Sequence, residues 1–149
     1  MECDGESKMI KTFRGMIASQ GQDTIVLHTN DGSIGYRIVK FQTISNDPAS
    51  TVAEMIVKIY KVSQPVIDEK VDFSDNTLLA VSYGSEGSNN NPPLNIIFDN
   101  DVFNQDIYVT YFDDSGNAIP ANYYLELEQF KLDLSESTVA TLKDIRNKA

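Results

Sequence analysis

The sequence holds one cysteine and one histidine in 149 residues. A single Cys excludes an internal disulfide, and a single His excludes a His-rich metal site. Apolar runs never exceed a few residues, so no segment is long enough to cross a membrane as a helix. The polar start, residues 1–8, has no apolar stretch and predicts no signal peptide. Basic residues are scarce, 12 against 22 acids, for a formal charge of −10. Nucleic acids and anionic lipids are met by clustered Lys and Arg, so neither is expected as a partner.

The shortage of bases is uneven. The first seventy residues carry 9 acids and 8 bases, close to neutral. Between Lys70 and Lys131 there is no base, against Asp72, Asp75, Glu86, Asp99, Asp101, Asp106, Asp113, Asp114, Glu126 and Glu128. Such a stretch reads either as a solvated surface that keeps the protein soluble, or as a docking face for a basic partner or a divalent cation.

Hydrophobic residues make up 41% and charged residues 23%, which is a globular balance, and the length suits one domain with its own core. Residues 1–8 read as a loose tail, 9–134 as the domain and 135–149 as a terminal helix. Short runs rich in Ile, Val, Tyr, Phe and Thr alternate with turn-forming clusters, the pattern of an all-β domain. Strands are expected over Ile10–Ser19, Thr24–Thr29, Ile34–Phe41, Ala53–Tyr60, Thr77–Tyr83, Leu94–Phe98, Asp106–Phe112 and Ala118–Lys131. The turns at Gln20–Asp23 and Asn30-Asp31-Gly32 predict a meander of the first three. Alternation slips after Ile38, which predicts a bulge. Met55, Val57 and Ile59 face one side of their strand, and Glu54, Lys58 and the tip of Tyr60 a wet side. Gly84–Pro93 contains nothing that packs and predicts a mobile loop. Asp113–Asn117 predicts a hairpin with a glycine bulge.

Asp133 or Ser135 can cap the final helix, which carries the stripe Val139, Leu142 and Ile145 and needs something to dock on. The expected fold is an antiparallel β-sandwich, with the jelly roll as one form open to it, ending in that short helix. Its core is expected to include Phe13, Ile25, Leu27, Tyr36, Ile38, Met55, Val57, Ile59, Leu79, Val81, Ile97, Ile107, Val109, Tyr124 and Leu127.

No arrangement of residues points to catalysis. His28 has no second His and reads as a strand residue. The Gly84–Ser88 cluster is followed by no helix, so a nucleophile elbow is missing. Cys3 lies in the tail, without a residue to work with. Glu126 and Glu128 share one face of a strand at a separation of about 7 Å, but a wet sheet face is not a glycosidase cleft. The calcium candidates are Asp99, Asp101, Asp113 and Asp114, hard oxygen ligands on loops. They do not match the twelve-residue calcium loop, and turns use Asp, Asn and Gly for backbone reasons alone. Tyr123 and Tyr124 face opposite sides of their strand, so one enters the core and the other is free to stack on a sugar or a partner.

Five phrases in order carry a resemblance: Lys11–Gly15 (KTFRG), Gly35–Phe41 (GYRIVKF), Ile97–Tyr111 (IFDNDVFNQDIYVTY), Asn122–Glu128 (NYYLELE) and Thr141–Asn147 (TLKDIRN). Together they resemble a group of small virion proteins of marine bacteriophages, encoded near capsid genes. The resemblance spans most of residues 9–147 and implies a non-enzymatic structural role, with no cofactor and no functional residues to carry over. It implies a capsid-associated or decoration protein in the virion, in contact with other virion proteins and with itself. The alternative is a carbohydrate- or receptor-binding module on a tail or spike.

Overall fold

A computed structural model describes residues 9–49, 52–86 and 91–133. Among them are eight strands and no helix: β1 (Met9–Ile17), β2 (Gln22–Ile25), β3 (Ile34–Ser45), β4 (Ala53–Tyr60), β5 (Leu78–Glu86), β6 (Asn91–Ile97), β7 (Ile107–Asp113) and β8 (Ala121–Lys131). All paired strands run antiparallel, in a three-stranded sheet ordered β1-β8-β3 and a five-stranded sheet ordered β2-β7-β4-β5-β6. Alternating apolar residues from both sheets meet in one core, where Ile38, Phe41, Leu125 and Leu127 of the first face Met55, Val57, Ile59, Val109 and Tyr111 of the second. The fold is all-β and sandwich-like.

Each expected strand is present, but the meander is not. β1 and β3 flank β8, while β2 lies in the other sheet beside β7. The turn residues bend the chain as expected, with Gly32 at φ 67, yet a turn does not dictate which strand comes to lie alongside. Asp113–Asn117 likewise holds a glycine with φ 89, but it carries the chain from one sheet to the other and closes no hairpin. The bulge is present, as a register shift between Ile38 and Lys40. Of the loop expected over Gly84–Pro93, residues 84–86 belong to β5 and 91–93 to β6, and residues 87–90 lie outside those described. β5 lies inside its sheet, between β4 and β6. The expected tail and terminal helix lie outside the described residues, except that Asp133 is described.

The outer side of β4 is wet only at Glu54, which is half-buried. Ile56, Lys58 and Tyr60 are buried, because residues 61–77 fold back over the five-stranded sheet. The Lys61 amide donates to the Thr77 carbonyl at 2.8 Å and closes the neck of this segment. Gln64 exchanges two hydrogen bonds with Gln22 of β2, and Phe73 meets Phe98 edge to face at 5.4 Å. Val81 belongs to this outer cluster with Tyr60 and Leu78. Lys58, 3% exposed, donates to the Lys70 carbonyl and lies 3.4 Å from Asp68.

Candidate functional site

The three-stranded sheet has no such covering among the described residues. Registers across it arrange its outer face in four rows: Ile10, Glu128 and Arg37; Thr12, Glu126 and Lys40; Arg14, Tyr124 and Gln42; Met16, Asn122 and Ile44. Neighbours within a row stand about 5 Å apart and successive rows about 7 Å apart, by strand geometry. Charge and hydrogen bonding tie the first three rows: Arg37 Nε donates to Glu128 Oε1 at 2.7 Å within the first, and Tyr124 OH of the third donates to Glu126 Oε2 of the second at 2.6 Å. That bond to a carboxylate holds the Tyr124 phenol above its usual range and fixes where its ring lies along the strand.

The third and fourth rows line an open groove of about 920 Å³, formed by Arg14, Met16, Gln42, Ile44, Asn122 and Tyr124 together with Asn95 of β6. Met16 is 55% and Ile44 52% exposed, so two large apolar side chains stand in water beside amide and guanidinium groups. Such a surface can bind through apolar contact and planar hydrogen bonding; it presents neither a nucleophile nor a paired acid and base.

Beneath the groove, Tyr123 rather than Tyr124 enters the core, in correction of the expected core set. Leu125 and Leu127 point inward, and the residue two before Leu125 must do the same. Tyr123 OH donates to Asp23 Oδ2 at 3.1 Å, and its ring lies so close to Gly15 that a Cβ there would come 2.9 Å from the hydroxyl. Burial and the Asp23 carboxylate push its phenol far up.

The remaining candidates fall apart in space or into structural roles. Asp113, 5% exposed, accepts from three backbone amides: Glu54 at 3.0 Å and Ser115 at 2.9 Å on Oδ1, and Ile119 at 2.9 Å on Oδ2. Burial alone would raise its carboxyl, but these bonds outweigh it and hold the carboxyl below its usual range. Asp99, Asp101 and Asp114 do not join it in a cluster, and no group of three His, Cys, Asp or Glu suited to a metal occurs among the described residues. His28 lies with Nδ1 2.8 Å from Asp106 Oδ1, an oxygen that also accepts the Leu27 and His28 amides. Asp106 is held down in the same manner as Asp113, its bonds outweighing burial. Gly84 and Ser85 are strand residues of β5, and Cys3 lies outside the described residues.

Arg14, Met16, Gln42, Ile44 and Asn122 are not among the site candidates read from the sequence. Their alternation marks them as outward-facing, but only the order β1-β8-β3 brings them together. No protein-family model and no curated protein matches this chain.

Proposed function

We propose that the chain is a non-enzymatic structural protein of a bacteriophage particle, capsid-associated or decorating, that assembles in many copies with itself and with other virion proteins. One observation carries this reading: residues 61–77 cover the middle of one outer face, whereas among the described residues nothing covers the other, which leaves Met16 and Ile44 in water. Apolar side chains amid Arg, Asn, Gln and Tyr make up the composition of a protein–protein contact. Strand order supports a jelly roll, the architecture of many shell proteins. Rolling up one long hairpin of eight strands pairs first with last, and the pairs β1·β8, β2·β7 and β4·β5 follow that rule. The fourth such pair, β3 with β6, is replaced by β6 joining β5, while β3 and β6 stay neighbours across the layers.

The test is incorporation. Phage carrying Met16→Asp with Ile44→Asp should yield particles depleted of the protein, although the variant folds with an unchanged circular dichroism spectrum. Particles that retain it at the parental level would overturn the reading. A carbohydrate-binding role is the second reading, favoured by the Tyr124 ring with Arg14, Gln42 and Asn122 beside it. It requires glycan-array binding that Tyr124→Ala abolishes.

A further inference from the structure

We infer that β1 is a self-pairing edge, through which two copies join antiparallel into a continuous six-stranded sheet. The inference deepens the reading above, resting on it only for the presence of many copies.

Among the described residues, β1 is the longest edge strand with no backbone pairing anywhere on its free side. The free side of β3 is met at Tyr36 by Phe103, the two residues exchanging backbone hydrogen bonds at 2.8 and 3.0 Å. β2 has only four residues. β6 begins Asn91-Pro92-Pro93, with two residues that have no N–H to donate. β1 presents nine residues without proline or bulge, paired to β8 on one side alone. An unpaired edge of this length is a template for another strand.

Its sequence also complements itself. In the register that uses all nine residues, Phe13 sits on the twofold axis opposite Phe13 of the second copy. On the outer face, Ile10 then meets Met16, and Thr12 meets Arg14. On the inner face, Met9 meets Ile17, and Lys11 meets Gly15. The exposed Met9, Ile10 and Met16, at 53%, 45% and 55%, each gain an apolar neighbour. Lys11, which would guard the edge, faces Gly15, which sets no like charge against it. Shifting the register by two residues in one direction sets Arg14 against Arg14, and in the other leaves Met16 without a partner. Pairing by an odd shift would oppose inward-facing residues to outward-facing ones.

Sedimentation of the purified full chain reads the association directly. The expected result is a species of twice the 16.6 kDa chain mass, reduced to one chain mass by Ile10→Glu with Met16→Glu, which sets like charges opposite each other twice. Both positions are exposed, so an unchanged thermal melt of the variant separates lost pairing from lost folding. Register is read in a Cys3→Ser background. Thr12→Cys with Arg14→Cys should form a disulfide-linked dimer, whereas Lys11→Cys alone should not, lying opposite Gly15 of the second copy. A monomeric parent, a dimer that survives both glutamates, or cross-linking by Lys11→Cys and not by the double variant would each overturn the inference. No virion component enters these measurements, so their failure leaves the particle role standing, and absence from particles would leave the dimer standing.

Discussion

Asp113, at the end of β7, accepts the backbone amide of Glu54 in β4 at 3.0 Å and so ties the crossover between the sheets to the start of the central strand. The same carboxylate holds the amides of Ser115 and Ile119, one at each end of the crossover. An acidic residue in the base-free stretch thus has its oxygens turned inward to the backbone.

Removing this carboxylate should therefore cost stability. Asp113→Ala leaves three partly buried N–H groups unpaired and should destabilise by about 2–4 kcal/mol. Asp113→Asn keeps one acceptor oxygen and should cost less, about 1–2 kcal/mol. Urea denaturation of both variants checks the order; a neutral Asp113→Ala would dissolve the clamp.

The core makes a second prediction. Val57 and Val109 are 1% and 0% exposed and lie in the shared core of the two sheets. Truncating either to Ala should cost about 1–3 kcal/mol through lost burial and an unfilled space. Variants that melt at the parental temperature would contradict this packing.

Lys58 anchors the segment that folds back over the five-stranded sheet. Lys58→Met keeps the apolar stem but leaves the Lys70 carbonyl without this donor and Asp68 with the Lys70 amide alone. Residues 62–76 should then exchange amide hydrogens faster and be cut sooner by protease, while β4, β5 and β7 keep their protection. Uniform loss of protection would mean that the segment and the sheet unfold as one unit.

Stability should fall off at both ends of the pH scale. Asp106 and Asp113 have carboxyls held below the usual range, because their backbone and side-chain hydrogen bonds outweigh burial. The unfolded chain takes up protons first, so their contribution is complete above about pH 4 and is lost as pH falls through the folded values. Tyr123 is pushed the other way by burial and by Asp23. The unfolded phenol ionises near pH 10 while the folded one keeps its proton, so stability declines as pH rises beyond about 10. Denaturation across a pH series should show both limbs, and Tyr123→Phe should flatten the alkaline one.

Strand positions were legible because alternation with period two is local. The partners were not, since β8 meets β1 across more than a hundred residues of chain and β3 across 76 to 97. Asn30-Asp31-Gly32 encodes a bend and says nothing of the sheet that the chain enters next. Lys58 and Tyr60 read as a wet face because a strand does not announce the segment that folds back upon it. Tyr123 is different: the inward parity of Leu125 and Leu127 already held the answer. The groove was hidden for the same reason as the pairing, its outward-facing residues coming from three strands far apart in the chain.

The particle role is the claim on which the account turns. Quantitative mass spectrometry of purified virus particles, from the source that encodes this chain, tests it most directly. The account predicts the protein in every particle preparation, in a constant ratio to the principal shell subunit that survives repeated gradient purification. Particles that lack it, while the protein accumulates in the infected cell, would contradict the account.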